Sequence, residues 1–346
     1  MRTVTVNRRP YEPNFIHAFY AWVDRLPIPN WLLFLLLFLF IGLIQHVVAW
    51  SKGMLATGEF NFDLATAGYW LVGGLFLGIY VLKGAAKALD EFRPLLNATE
   101  EEYTELKYRF VTIPRGVGTI VFLIGLPLGA MSGISDMAIA PAVDYAFPQM
   151  RIGIWMTGAA TAFLFFYQII RQLRQINAFY AMSKQINVFN LRPMFGFTRY
   201  TAILGIALFF YQGVVPLALD PTAFASRLVL DTSLAFVPLI LLMFFVPIWG
   251  VHQHLVNEKD RILQEINSHM ATIFERIRSA TFEQENYEKI GDMNTVFSIL
   301  KGQKETIKGL STWPWQPGTL TGLLSSLLLP IVLTLIRDLI LKFLGV

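Results

Sequence analysis

The stretch Trp31 to Trp50, WLLFLLLFLFIGLIQHVVAW, restricts the fold of this chain more than any other feature. It carries no Asp, Glu, Lys or Arg. A helix rising about 1.5 Å per residue needs about 20 apolar residues to cross a hydrocarbon layer of about 30 Å. The run therefore predicts a membrane-spanning helix. It is too long for the apolar part of a signal peptide and has no small-residue cleavage site after it, so it is expected to be retained. Six more stretches meet the same test: Leu64–Leu82, Val117–Ile134, Ile152–Ile170, Thr201–Leu219, Leu228–Val251 and Thr319–Ile336. Pro330 interrupts the last, and Arg337, Asp338 and Lys342 follow it, so it is expected either to span or to lie at the interface. Hydrophobic residues make up 55% of the chain and charged residues 15%, against about 25% charged in soluble domains. The fold class expected is all-α: a polytopic transmembrane helical bundle of about seven spans with cytoplasmic helical extensions.

Lys and Arg are distributed asymmetrically between alternate connections. Arg2, Arg8, Arg9 and Arg25 precede the first span. Lys83, Lys87, Arg93, Lys107, Arg109 and Arg115 lie in the connection 83–115, and Arg171, Arg174, Lys184, Arg192 and Arg199 in the connection 171–199. Lys259, Arg261, Arg276, Arg278, Lys289, Lys301, Lys304 and Lys308 follow the sixth span. The intervening connections hold only Lys52, Arg151 and Arg227. The positive-inside rule then places the N-terminus and these long connections in the cytoplasm, for a multi-pass protein of the cell membrane. The domain organisation expected is a cytoplasmic segment 1–30, a six-span bundle 31–251, a cytoplasmic helical region 252–317 and a C-terminal membrane helix 318–346. Topology accounts for the pI of about 9.2, so no nucleic-acid partner is expected. The lipid bilayer is the expected environment, with a second copy of the chain and a cytoplasmic protein as further partners.

The cytoplasmic parts read as helical. The connections are expected to continue the spanning helices through Lys83–Arg109 and Arg171–Asn190. From His252 onward Leu255, Ile262, Ile266, Met270, Ile273 and Ile277 recur at helical spacing and form one apolar face. That face predicts packing against other helices. The pairs Arg93-Pro94 and Arg192-Pro193, and the arginines Arg115 and Arg199 that open two spans, hint at a repeated helix-pair unit. Gly68, Gly73, Gly74, Gly78, Gly118, Gly125, Gly129 and Gly133 supply small faces for close helix approach. They leave open whether the partner lies in the same chain or in another. In STWPWQP, Trp313, Pro314, Trp315 and Pro317 predict an interfacial hinge. Its prolines stop a continuous helix and its indoles suit the headgroup layer.

Catalytic chemistry finds few parts. There is no Cys, which removes disulfides, thiolate ligands and thiol nucleophiles. HExxH, GxSxG, Walker A and G-x-G-x-x-G patterns are missing. His254 and Glu258 alone share a helical ligand spacing, and two ligands do not make a site. No enzymatic activity, cofactor or metal is expected. Permeation is the first functional expectation, with the C-terminal helix as pore liner through Ser325, Ser326, Leu329 and Thr334. His46, Asp136, Asp220 and Asp231 are the outer-mouth or gating candidates. The plan of an internal N-terminus, seven helices, a cytoplasmic helical anchor and a final membrane helix resembles, in topology, the insect odorant and gustatory receptor channels. That resemblance implies an oligomer with the last helix around its axis. A non-conducting scaffold or sensor acting through its cytoplasmic helices is the alternative, and a secondary transporter a further one.

Overall fold

A computed structural model describes residues 10–139, 148–183, 188–211, 228–282, 287–316 and 318–344. The described chain is helical throughout, and two isolated β-bridges, Pro13 with Pro114 and Leu96 with Ser183, are its only extended pairings. Eleven α-helices are described: α1 Phe15–Val23, α2 Asn30–Ser51, α3 Phe62–Thr66, α4 Tyr69–Phe92, α5 Glu100–Val111, α6 Arg115–Ile139, α7 Pro148–Ala181, α8 Phe195–Phe209, α9 Leu228–Phe282, α10 Tyr287–Gly309 and α11 Thr319–Leu344. Among the described residues five stretches are long and apolar enough to cross a membrane: Asn30–Ser51, Phe62–Leu95, Arg115–Ser135, Pro148–Ala181 and Val237–Thr281. The expected span Thr201–Leu219 lies partly outside the described residues. The expected last span contributes a shorter apolar stretch, Thr319–Leu329, within α11.

Local chemistry explains where the polar helices begin and end. Thr99 and Glu102 form a reciprocal capping box at the start of α5, with Glu100 and Glu101 in the same first turn. The connection 83–115 does not continue α4 as one helix. Pro94 lacks an N–H, so α4 gives way to the short 3₁₀ turn Arg93–Leu95 before α5 begins. Arg192-Pro193 likewise opens a 3₁₀ turn, Arg192–Met194, ahead of α8, and the two turns touch. Both Arg-Pro pairs thus open a 3₁₀ turn, and the second leads straight into α8 with no counterpart of α5 between them. Beyond the sixth expected span the helix does not stop: α9 runs unbroken for 55 residues, with Pro238 and Pro247 inside it.

Packing is largely antiparallel. α6 lies against α7 through Gly125 and Gly129, where an added Cβ would collide with the backbone of Ala160 and of Trp155 and Met156. This small-residue face therefore serves contact within the chain. α9 and α10 form an antiparallel hairpin, with Leu255 fully buried and Ile266 nearly so on the apolar face read from the sequence. Phe197 sits at the centre of the largest core, ringed by Phe92, Phe110, Phe179 and Tyr180 at centroid distances of 5.0, 5.9, 5.9 and 5.7 Å. A second core joins α1, α2 and α4, and a third joins α8, α9 and α11. The contacts Pro13–Pro114, Glu91–Arg199, Thr198–Pro314 and Lys259–Lys308 gather the Lys- and Arg-rich connections at one end of the bundle.

Candidate functional site

The last helix touches the rest of the chain along one stripe. Leu323 and Leu327 are fully buried against α8 and α9. Leu324, Ser325, Leu328, Leu329, Val332, Leu335 and Ile336 are exposed on the remaining surface, and Ser326 is half-buried at the margin. Ser325 and Leu329, four residues apart, therefore share an uncovered face. Thr334 lies in α11, but its side chain is outside the description.

The start of α11 is fixed by an aromatic stack. Trp313 lies face to face with His252 at 3.7 Å and with Trp315 at 4.4 Å. Trp315 stacks in turn on Phe244 at 6.0 Å, while Phe245 meets both indoles edge-on. Hydrogen bonds complete the clamp. The His252 Nδ1–H donates to the Thr312 carbonyl at 3.1 Å, and the buried Thr198 hydroxyl donates to the Pro314 carbonyl at 2.6 Å. The Lys259 ammonium donates to the carbonyls of Lys308 and Leu310 at 2.7 and 2.8 Å. A cation at the C-terminal end of α10 also complements the helix dipole. Trp313, Pro314 and Trp315 are thus packed on α9 and α8, and Pro317 lies outside the described residues. In the sequence His252 and Lys259 lie in the region beyond the sixth span, but nothing there joined them, or Phe244, Phe245 and Trp249, to the hinge.

The outer-mouth candidates do not converge among the described residues. His46 is buried, its Nδ1–H donating to the Gly42 carbonyl at 2.8 Å while Nε2 accepts from the Asn61 N–H at 3.0 Å. Both ring nitrogens are thereby engaged, Nδ1 within α2 and Nε2 fastening α2 to the segment before α3, and the ring stacks on Phe60. Asp220 lies outside the described residues. Asp136 and Asp231 lie in α6 and α9, with side chains outside the description. No group of three His, Asp or Glu among the described residues could hold a metal ion.

At the basic end, α5 stops at a junction that the sequence did not announce. The terminal carbonyls of a helix have no partner within it. Here α7 supplies donors. Gln168 Nε2 reaches the Phe110 carbonyl at 2.9 Å, and Arg171 reaches the Thr112 carbonyl at 2.7 Å as well as that of Arg109. Gln172 joins Phe110 and accepts from the Tyr200 hydroxyl at 2.6 Å. The N-terminal segment closes over this junction. The Tyr11 hydroxyl donates to the Thr112 carbonyl at 3.0 Å, Asn14 N–H to Ile113 O at 2.9 Å, and Ile113 N–H to His17 Nε2 at 2.8 Å. Burial, reinforced by the nearby Arg171 charge, lowers the His17 pKa to about 4. Burial alone would raise the Asp24 carboxyl, but hydrogen bonds from Lys83 and Asn30 outweigh it and hold that group below its ordinary value.

No known protein family matches this chain, and no curated protein or solved structure is significantly similar to it. The fold and the candidate site define an all-helical protein with, among the described residues, five helices suited to a bilayer by length and composition.

Proposed function

We propose that this chain is one subunit of a homo-oligomeric membrane channel whose last helix, α11, lines the central pathway. The observation that carries the reading is the single-stripe attachment of α11. Leu323 and Leu327 hold it to the bundle, while Ser325 and Leu329 look away from its own subunit. Arranged about an axis, those faces would offer hydroxyls beside leucines, a combination suited to a hydrophobic constriction that opens by wetting. At 26 residues, α11 is about 39 Å long and sufficient to span. The apolar stretch Thr201–Leu219, whose first part forms α8, would be the other span beyond the five. The uneven placement of Lys and Arg orients the basic end, with the N-terminus and the α9–α10 hairpin, toward the cytoplasm. The aromatic clamp would then couple hairpin to pore helix.

Conductance of the purified protein in planar bilayers tests this. Ser325→Trp is expected to cut the current severalfold, whereas Leu36→Trp, on the exposed face of α2, leaves it unchanged. A monodisperse, folded protein that carries no current would overturn the proposal. It would favour the second reading, a scaffold that engages a cytoplasmic protein through the hairpin. Exposure of Phe274, Val296 and Ile299 there favours that reading.

A further inference from the structure

We infer that the groove between α4 and α8 is a binding site for one anionic phospholipid, its headgroup held by Lys87 and Arg192. The inference needs membrane embedding and the orientation of the basic end. It does not need conduction.

The groove arises from how two helices separate. At their basic end α4 and α8 are in close contact: a Cβ on Gly196 would press on the Ala88 carbonyl and the Glu91 side chain, and one on Gly84 would meet the Tyr200 ring. On the outward side the pair leaves a cavity of about 170 Å³ walled by Leu77, Tyr80, Ile203 and Ala207. Tyr80 and Ile203 are exposed, so the cavity opens sideways, toward the surface a bilayer would cover. Lys87 and Arg199 stand at its rim. Arg199 also lines a second, polar cavity of about 640 Å³, together with Glu91, Arg192, Asn190 and Gln316.

Charge decides the occupant. Arg199 is committed to Glu91 by an ion pair. Among the described residues Lys87 and Arg192 have neither an ion-pair nor a hydrogen-bond partner. The double site is therefore an apolar slot with net positive charge at one end. An acyl chain with a phosphate at its head matches both parts. A zwitterionic lipid brings its own ammonium with its phosphate and leaves the net positive charge uncompensated, and a free anion would leave the slot empty. Anionic lipids are enriched on the cytoplasmic leaflet, which is where the Lys and Arg distribution places this mouth.

Native mass spectrometry of the full-length protein in detergent, titrated with phosphatidylglycerol or phosphatidylcholine, tests the assignment. One phosphatidylglycerol per chain is expected to be retained in preference to phosphatidylcholine. Each cation near a headgroup contributes about fivefold in affinity, so Lys87→Ala with Arg192→Ala is expected to weaken retention about 25-fold. Lys301→Ala with Lys304→Ala, on α10, is expected to leave it unchanged. Ala207→Trp fills the slot without altering charge and should abolish retention. Ile203→Trp, at an exposed position, serves the same purpose if that variant does not fold. Equal retention of both lipids, equal loss in the two lysine-containing pairs, or undiminished retention in a folded slot-filling variant would each overturn the inference. Displacement of the lipid by inorganic phosphate alone would assign the cations to a free anion and overturn it as well.

Discussion

The junction around Arg171 and the anchorage of α11 lie at the same end of the bundle and are held by opposite means. At the junction, carbonyls at the end of α5 are satisfied by side chains of α7 and covered by the N-terminal segment, through bonds spanning about 60 to 100 residues of chain. The carbonyls share donors from two segments or two side chains, Thr112 from Tyr11 and Arg171, Phe110 from Gln168 and Gln172, so α5, α7 and the N-terminal segment are cross-linked and move together. α11 is held by two buried leucines and a stack of rings. Ring stacks and apolar stripes lose contact gradually and can slide. The first region is a fixed frame, and the second is an element that a conformational change can displace.

Substitutions separate the two behaviours. The largest effect is expected from Phe197→Ala at the aromatic hub above the junction, about 3–5 kcal/mol of global destabilisation, read as a collapse in folded yield and melting temperature. A pH titration of stability comes next. His17 binds its proton in the unfolded chain near 6.5 but only near 4 in the folded one, because burial and Arg171 oppose the charge. Its contribution is complete above about pH 6.5, falls as the pH drops toward 4, and amounts to up to about 3 kcal/mol. Melting temperatures between pH 7.5 and 4.5 should show that slope, and His17→Gln should flatten it. The depressed Asp24 titrates below this window and leaves it undisturbed.

Arg171→Gln should cost about 1–3 kcal/mol by removing charged hydrogen bonds to the Thr112 and Arg109 carbonyls, which then keep only the neutral donors Tyr11 and Gln175. Hydrogen exchange should then rise along α5 and the N-terminal segment while α11 stays unchanged. The smallest effect falls on the other side of the comparison. Thr198→Val removes the hydroxyl bonded to Pro314 and should cost about 1 kcal/mol. Limited proteolysis should show that loss as faster cleavage within 311–316, with the melting temperature nearly intact. If instead Thr198→Val lowers the melting temperature as much as Arg171→Gln, frame and pore helix form one unit and the contrast fails.

Much of the frame was legible in residues alone. Hydropathy marked the helices, and Leu255, Ile262 and Ile266 marked an apolar face of α9, of which Leu255 and Ile262 pack on the largest core; the break at Pro94 was not read, since the connection was expected to continue α4. Gly125 and Gly129 announced a close approach, but only the fold assigned it to α7. The Arg171 junction was invisible because a side chain that reaches a backbone carbonyl some 60 positions away imposes no local spacing. The hinge was readable from its prolines. Its partner surface on α9 was not, since Phe244, Trp249 and His252 occur in an apolar stretch where aromatic rings are commonplace. His46 illustrates the reverse. Its rarity within a span suggested gating, and the fold occupies both its nitrogens, one with the Gly42 carbonyl of its own helix and one with the Asn61 N–H of the next segment.

Because the chain has no Cys, a single introduced thiol is uniquely addressable. Ser325→Cys, reconstituted in planar bilayers and exposed to a charged, thiol-reactive methanethiosulfonate, tests the pore-lining assignment most directly. Progressive, reductant-reversible loss of current in Ser325→Cys, with none in Leu36→Cys, is the result predicted. Labelling of residue 325, verified by mass, that leaves an established current unaltered would contradict it.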